Sequence, residues 1–271
     1  MSDTLLVTGA TGKLGKLVLE ELLASGIAPA RIIATSRDIT KLADYTAKGV
    51  QTRIADFDDP ASLDTAFAGA DRILIISTDA LDQPGKRLKQ HLAAVAAAKK
   101  AGARHILYTS MPSPETSVIP FAPDHLGTEN AIKATGIPYT ILRNGWYMEN
   151  LFMALPHALE TGHWYSSSGE GRLAHIARAD AARAAAAALA ALVAAATGKP
   201  LEVVHISDEA LAGGLKSAGL PDFLVPIVVS FDANTREGHI GMVTDDLSTL
   251  TGQSPARLAA FLGASKAALA G

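Results

Sequence analysis

The sequence predicts an α/β protein with a doubly wound parallel sheet and a smaller C-terminal α/β lobe, and three observations carry this prediction. A short apolar run near the N-terminus passes through a glycine-rich turn into a helical pattern. Apolar β-type runs then alternate with helical patterns up to about residue 143, at the spacing of βαβ units. Glycines follow the helical patterns, as they do at helix C-termini. We therefore predict a sheet domain over residues 1–150 and a smaller lobe over 151–271 that does not fold independently and contributes to the same site.

Composition excludes several classes of function. The chain has 271 residues, 48% of them hydrophobic and 19% charged, which is ordinary for a globular protein. The net charge of −3, with no long run of one sign, argues against a nucleic-acid partner. The sequence contains no cysteine, which excludes disulfides, thiolate nucleophiles and thiolate metal sites, so redox chemistry needs a bound cofactor. Because signal-peptide and membrane-spanning patterns are absent, we expect a cytoplasmic protein that does not enter a membrane.

Glycines at every third position define the turn after the first apolar run. Gly9 permits the sharp turn off the strand, Gly12 lets a phosphate approach the backbone, and Gly15 lets the helix pack close to the strand. Free N–H groups at the helix start and the helix dipole favour a pyrophosphate. An ordinary α/β protein can contain a glycine turn too, but between a strand and a helix this pattern predicts dinucleotide binding. The motif comprises Gly9, Ala10, Thr11, Gly12, Lys13, Leu14 and Gly15.

Six apolar runs are candidate strands of one parallel sheet covered on both faces, as in a Rossmann-type domain. They span residues 5–8, 32–35, 52–55, 73–77, 106–109 and 140–143. The helical patterns between them end near Gly26, Gly49, Gly69, Gly102 and Gly136. In such a sheet the ligand lies beyond the strand C-termini, at the switch between the first and fourth strands. The strand ends are therefore where site residues are expected.

The ends of the second and third runs bear on which dinucleotide is bound. About 20 residues beyond the glycine turn, where an NAD site places an acidic residue, the chain has Arg37. A guanidinium can bind a 2′-phosphate through two hydrogen bonds, so we predict NADP(H), with NAD(H) as the second option. The alternative is a solvated arginine, and the neighbouring Asp38 weakens the case. Asp56 either accepts a hydrogen bond from the adenine amino group or caps the helix before Pro60.

Hydroxyl side chains end the fourth and fifth runs, where they are expected along the cofactor. They are Ser77, Thr78, Tyr108, Thr109 and Ser110. A short-chain dehydrogenase would place a Tyr-x-x-x-Lys acid/base pair on the next helix, but here that helix reads His-Leu-Gly-Thr-Glu-Asn from His125. Reducing a ketone needs a proton delivered with the hydride, whereas a quinone or cationic dye spreads the charge over its conjugated system. We therefore predict direct hydride transfer to a conjugated acceptor, with His125 as the candidate acid or, alternatively, a structural histidine.

Polar, glycine and aromatic residues crowd the end of the sixth run, where a substrate would lie. They are Arg143, Asn144, Gly145, Trp146 and Tyr147. Only 5% of all residues are aromatic, so two adjacent aromatics at this edge are notable and could stack on a flat ring. The alternative is a turn with core aromatics.

The strict alternation ends beyond residue 150. We predict a helix over 151–161, a strand and loop over 162–171, and a short strand over 172–176. Asp180 is then expected to cap a long helix, or two helices run together, over the alanine-rich residues 181–196. Helical patterns follow near 208–218, 223–231 and 255–269.

These segments together make the sequence similar to a known group. It resembles the atypical short-chain dehydrogenases related to the nitrogen regulator NmrA, most closely the NAD(P)H:quinone oxidoreductases, with triphenylmethane dye reductases as relatives. The resemblance covers nearly the whole chain. Its specific features are the Arg-Asn-Gly-Trp-Tyr segment and the missing Tyr-x-x-x-Lys pair.

The resemblance implies a site and its ligands. The glycine loop and Arg37 would bind NADP(H), Ser77, Thr78, Leu142, Arg143 and Asn144 would complete the cofactor site, and residues 144–147 would border the quinone pocket. We expect a quinone-like acceptor, neither flavin nor metal, and a monomer or homodimer. One departure from the family pattern is that residues 181–196 replace a strand and loop, so the lobe is shortened or residues are missing.

Two other functions compete with a quinone reductase. A dinucleotide-sensing regulator would bind the cofactor without catalysis, but it would not need the aromatic strand end at 144–147. A carbonyl reductase would use His125 as its acid.

Overall fold

The computed structural model describes residues 4–24, 27–177, 181–185, 202–244, 254 and 257–265. Two compact units divide the chain. The first comprises Met1–Met111 and Pro123–Arg143, and the second comprises Pro112–Ala122 and Asn144–Gly271.

A six-stranded parallel sheet forms the centre of the first unit. Its strands are β1 (Leu5–Val7), β2 (Ile32–Ser36), β3 (Gln51–Ile54), β4 (Arg72–Ile75), β5 (His105–Ser110) and β6 (Tyr139–Arg143). Their order, β3-β2-β1-β4-β5-β6, has its switch point between β1 and β4. All six predicted strands and the doubly wound fold are thus confirmed, with ends shifted by one or two residues.

Helices cover the two faces of this sheet. They are α1 (Lys13–Ala24), α2 (Ala43–Ala47), α3 (Pro60–Phe67), α4 (Lys86–Lys100) and α5 (Ala122–Ala134), with short 3₁₀ turns at Pro29–Arg31 and Ile39–Leu42. Alternate strand residues enter different cores: Leu6 packs with α3 and α4, whereas Val7 packs with α1 and α2. Burial on both faces explains why the strands read as continuous apolar runs.

The helix ends follow the predicted glycines, with one correction at a helix start. Gly49, Gly69, Gly102 and Gly136 all have positive φ angles, between 72° and 89°, which favour glycine. Gly26 lies outside the described residues. The N-cap of α3 is Asp59, whose carboxylate accepts a hydrogen bond from Ala61 N–H, so the alternative in which Asp56 caps this helix is wrong. Asp59 is the N-cap because it directly precedes Pro60, the first residue of the helix.

Short strands and helices build the second unit. Its strands are β7 (Trp146–Tyr147), β8 (His163–Ser166), β9 (Arg172–Ile176), β10 (Ala181–Ala185) and β11 (Glu202–His205), and its helices are α6 (Leu155–Thr161), α7 (Asp208–Ser217), α8 (Val225–Arg236) and α9 (Leu258–Ala264), with a 3₁₀ helix at Met148–Met153. β9 pairs in parallel with β7 and antiparallel with β10, and β8 pairs in parallel with β11. Met148, Leu155 and Leu262 are fully buried in the core of this unit.

The predicted alanine-rich helix is wrong over the part of it that the structure describes. Residues Ala181–Ala185 form strand β10, paired with β9 from Ala181↔Ile176 to Ala185↔Arg172. Helix propensity favours alanine only weakly per residue, and pairing with a neighbouring strand overrides it. Asp180 and residues 186–196 lie outside the described residues.

Candidate functional site

The glycine loop has the geometry that a dinucleotide site requires. Gly9 has φ = +58°, a left-handed conformation that turns the chain off β1. A Cβ atom at Gly15 would lie 2.3 Å from the Gly9 carbonyl oxygen, so only glycine lets α1 approach the strand. Gly12 is exposed at the start of α1, and its N–H donates to the Gly9 carbonyl at 2.9 Å. The turning role of Gly9 and the packing role of Gly15 follow from these contacts.

Hydrogen bonds fix this loop to the neighbouring strands. The Thr8 hydroxyl oxygen accepts from Ile76 N–H at 2.8 Å, at the end of β4. Ala10 N–H donates to the Thr35 carbonyl of β2 at 3.0 Å. The hydroxyls of Thr11 and Ser36 lie 3.0 Å apart. These contacts hold the loop at the switch point between β1 and β4.

Arg37 extends from the end of β2 with its side chain exposed. The neighbouring Asp38 caps the 3₁₀ helix that follows it. Its carboxylate accepts a hydrogen bond from Thr40 N–H at 3.1 Å and lies 3.8 Å from Lys41 Nζ. The Thr40 hydrogen bonds hold the pKa of Asp38 below its usual value. Asp56 accepts from Asp58 N–H at 3.0 Å. The acidic residue beside Arg37 is thus already engaged elsewhere.

The predicted hydroxyl residues at the ends of β4 and β5 bond to one another. Ser77 N–H donates to the Thr109 hydroxyl at 2.9 Å, and that hydroxyl donates to Ser77 Oγ at 3.2 Å. Thr78 N–H donates to His91 Nε2 at 3.0 Å. His91, on α4, therefore fixes the chain where β4 ends. Sequence reasoning did not find His91, because a lone histidine in a helix has no local pattern.

A buried polar network links His125 to Tyr108, whose side chain is fully buried. Arg87 Nη2 donates to His125 Nε2 at 2.9 Å, and a guanidinium has no acceptor, so a neutral His125 carries its proton on Nδ1. That Nδ1–H donates to the Tyr108 hydroxyl at 2.8 Å. By the same reasoning His91 carries its proton on Nδ1, which lies 3.0 Å from the Thr128 hydroxyl.

Burial keeps both histidines of this network neutral. His125 is 3% exposed, and burial, with the charge of Arg87, lowers its pKa to about 2. The same two causes lower the pKa of His91 to about 3. Burial also raises the pKa of Tyr108 above its usual value. These contacts favour the structural interpretation of His125.

A second buried group ties the end of β5 to the end of β6. The Glu129 carboxylate is 1% exposed and accepts two hydrogen bonds from Arg143, at 2.9 and 2.7 Å. It also accepts from the Ser110 hydroxyl at 2.7 Å. The side chains of Ser110 and Arg143 are therefore engaged inside the first unit. Glu129 too was missed, since its partners lie 14 and 19 residues away in the sequence.

The predicted acceptor residues lie in the second unit. A Cβ atom at Gly145 would lie 2.6 Å from the Ala174 carbonyl oxygen, so glycine is needed for β7 to approach β9. The ring centroid of Trp146 is 3.6 Å from that of Phe231. Asn144 Nδ2 donates to the Tyr147 hydroxyl at 3.2 Å.

A cavity of about 720 Å³ lies within the second unit, a volume suited to a small organic ligand. Trp146 is one of its lining residues, whereas Tyr147 is not. Most of the lining is apolar, and it includes Trp146, Leu151, Trp164, Leu173, Leu211 and Phe231. Its polar lining residues include His175 and Asp232. The cavity can therefore hold a flat, largely apolar molecule.

Comparison with known proteins agrees with this geometry. Residues 9–191 match the model of a protein family described as NAD(P)H-binding. The chain belongs to this family. It is 34% identical to quinone oxidoreductase 2 of Escherichia coli over 276 residues, which cover 93% of this chain and 95% of the relative. As its motifs predict, it is an oxidoreductase of the NmrA-like, atypical short-chain dehydrogenase group.

Two solved structures have the same fold as this chain. The NADPH complex of an Escherichia coli NADPH-dependent quinone oxidoreductase has a TM-score of 0.89 at 32% identity, covering 96% of this chain and 99% of the other. The NADP(H) complex of Citrobacter sp. triphenylmethane reductase has a TM-score of 0.88 at 31% identity, covering 98% and 100%. Within the described residues, no helix is long and apolar enough to cross a bilayer, and no cluster of His, Asp and Glu could hold a metal ion.

Proposed function

We propose that this protein is an NADPH-dependent reductase that delivers hydride directly to a quinone or a similar conjugated acceptor. The observation that supports the proposal is that Tyr108 on β5 and His125 on α5 are buried and hydrogen-bonded to protein groups. A general acid must be protonated at the working pH and must reach its substrate. His125 is neutral, with a pKa of about 2, and Tyr108 is fully buried, with its pKa raised by burial. Neither group supplies the proton that a ketone needs.

The residues of the first unit fit a dinucleotide. Gly12 directly precedes the first residue of α1, is exposed and has no side chain that would keep a phosphate away from the start of the helix. Arg37 is exposed at the end of β2, where a 2′-phosphate would lie. Ser77, Thr78, Leu142 and Arg143 would complete the site at the ends of β4 and β6. These roles follow from the position of each residue at the C-terminal edge of the sheet.

The chemistry needs two electrons and two protons. When bound, NADPH supplies a hydride to the acceptor, and the second proton comes from water, which gives a hydroquinone and NADP⁺. The chain contributes orientation, because bringing two reactants together in the right geometry removes much of the barrier. The glycine loop and Arg37 would orient the dinucleotide. Trp146 follows β6 by three residues and would stack on the acceptor ring.

The decisive experiment is to mix the purified protein with NADPH and a panel of benzoquinones, naphthoquinones and dyes. We expect NADPH to be consumed with at least one quinone, measured by its loss of absorbance. Consumption without an acceptor is the blank. If the protein binds NADP(H) tightly but turns over no acceptor, the dinucleotide-sensing function replaces this proposal.

Cofactor selectivity tests the role of Arg37. Arg37→Ala should weaken NADPH binding by about 1.5–3 kcal/mol, which is typical of hydrogen bonds to a charged group, and leave NADH binding nearly unchanged. Lys41→Ala is the matched control, since Lys41 is a nearby cation with a 68% exposed side chain that pairs with Asp38. Titration calorimetry with both cofactors measures the difference. Equal losses for NADPH and NADH in Arg37→Ala would contradict the role.

A further inference from the structure

The cavity of the second unit is larger than the ring of a quinone requires. Its volume of about 720 Å³ lies within the range of about 300 to 1,000 Å³ that is typical of pockets for drug-sized molecules. A single ring stacked on Trp146 would fill only part of this space. Apolar surface that stays in contact with water contributes nothing to binding, so the volume favours an acceptor with a further apolar part.

Few charged side chains line the cavity. The described lining residues include no lysine, arginine or glutamate, and Asp232 is their only carboxylate. Asp232 Oδ2 accepts hydrogen bonds from the Ser166 hydroxyl at 3.0 Å and from Ser167 N–H at 2.9 Å. Burial raises the pKa of this carboxyl above its usual value. An anionic acceptor would therefore have no lysine or arginine of the described lining to pair with, and the wall suits a neutral one.

One face of helix α7 lines the cavity with small residues. Ala210 and Gly214 on the helix and Ala218 just after it are spaced four residues apart, so they follow one another along the same side. All three are exposed. This face is about 12 Å long, since a helix rises by about 1.5 Å per residue. The small side chains leave room beside the helix for a substituent of the acceptor.

The apolar lining continues from the interior to the surface. Leu151 and Phe231 are 5% and 8% exposed, whereas Met153 and Tyr165, which also line the cavity, are 63% and 48% exposed. A ligand can therefore extend from buried to exposed apolar wall within the second unit.

We propose that the acceptor is a neutral quinone with a prenyl or alkyl substituent, whose ring stacks on Trp146 and whose substituent lies along the face of α7 at Gly214. This inference rests on the proposed function and names the acceptor class within it. Each methylene group that is buried adds to the affinity, so binding tightens as the substituent grows within the cavity. The substituent takes no part in hydride transfer, so it lowers KM more than it changes kcat.

Binding without cofactor tests the proposal independently of turnover. Trp146 and Trp164 line the cavity and are the only two tryptophans in the sequence, so their fluorescence reports whether it is occupied. The probes are menadione and its derivative with one prenyl group on the quinone ring, and free N-acetyltryptophanamide corrects for light that the quinones absorb. We expect the prenyl group to lower Kd by about tenfold or more, because several carbon atoms become buried. A naphthoquinone with a sulfonate in place of the methyl group should bind about tenfold more weakly than menadione.

Two neighbouring glycines of α7 provide a matched pair of variants. A Cβ atom would meet no other atom within 4 Å at either Gly213 or Gly214, but only Gly214 lines the cavity. Gly214→Leu should reduce the ratio of the two Kd values to less than about threefold, because the new side chain occupies the place of the prenyl group. Gly213→Leu should keep the ratio of the wild type, and Gly214→Ala should give an intermediate ratio. Melting temperatures show whether each variant is folded at the temperature of the titration.

Several outcomes would overturn the proposal. A prenyl group that does not lower Kd in the wild-type protein would do so without any variant, as would tighter binding of the sulfonate than of menadione. The same loss of the ratio in Gly213→Leu and Gly214→Leu would remove the assignment of the substituent to the cavity side of α7.

Failure of the proposed function gives a different result. There no quinone consumes NADPH, although the preference for the prenylated quinone persists in the binding assay. Consumption of NADPH with both quinones at equal KM and equal Kd would leave the proposed function standing and contradict this inference alone.

Discussion

His125 and His175 are buried to the same extent, each 3% exposed, but they lie in different units and in opposite hydrogen-bonding situations. Both ring nitrogens of His125 have partners, Arg87 and the Tyr108 hydroxyl. His175 has no partner among the described residues, and a cavity lies beside it. The difference teaches that burial alone does not identify a functional histidine. A fully paired ring ties together the elements that its partners belong to, whereas an unpaired ring adds no hydrogen bond to the fold.

The largest expected effect is on the stability of the first unit, where the buried carboxylate of Glu129 is fully paired. Glu129→Ala should lower the free energy of unfolding by about 3 kcal/mol, because it leaves Arg143 without its carboxylate and removes the acceptor of Ser110. Urea denaturation measures the change. Lys133→Ala is the matched control, because Lys133 is 42% exposed and pairs with the same carboxylate at 3.5 Å. It should change the free energy by less than about 1 kcal/mol. A small effect in both variants would show that buried pairing does not stabilise this unit.

The next prediction applies one substitution to the two histidines. His125→Leu should lower the free energy of unfolding by about 2 kcal/mol, since it removes partners of the buried Arg87 and Tyr108. His175→Leu should change it by no more than about 0.5 kcal/mol, because no hydrogen bond is lost among the described residues. Leucine has nearly the volume of histidine, so packing changes are similar in both. Equal losses in the two variants would show that the hydrogen bonds of His125 do not stabilise the fold.

The same pair of variants separates structure from catalysis. If His125 has only a structural role, His125→Leu should keep most of its kcat for quinone reduction when assayed well below its melting temperature. If His125 is a general acid, kcat should fall by about 100-fold or more under the same conditions.

The last prediction concerns the pH dependence of stability, where the three buried histidines should each contribute by a similar amount. Unfolded histidine binds a proton with a pKa near 6.5, but folded His125, His91 and His175 stay neutral down to about pH 2, 3 and 4. As pH falls below about 6.5 the unfolded state takes up protons that the folded state does not, so stability decreases. From pH 7 to pH 5.5 each histidine should remove about 1 kcal/mol.

Urea denaturation at several pH values checks this prediction. His125→Leu and His175→Leu should each lose one histidine's share of the pH dependence, although their stabilities at pH 7 differ. An unaltered slope in either variant would mean that the corresponding ring is protonated in the folded protein.

The sequence by itself determined the first unit and its cofactor site in outline. Apolar runs, glycine spacing and helix-end glycines are local patterns, so they predicted the six strands, the turn at Gly9 and the close packing at Gly15. The same motifs indicated the family to which the chain belongs. Arg37 and the residues at the strand ends remain predictions that the experiments above address.

Only the tertiary structure decided which buried side chains meet. Arg87 and His125 are 38 residues apart, and Ser166 and Asp232 are 66 apart, so no local pattern could pair them. Helix propensity predicted the wrong conformation at Ala181–Ala185 for the same reason. There the partner strand β9, and not the alanine content, sets the conformation. His125 and His175 look alike in the sequence, because a histidine's role depends on the partners and the space that the folded chain brings to its ring.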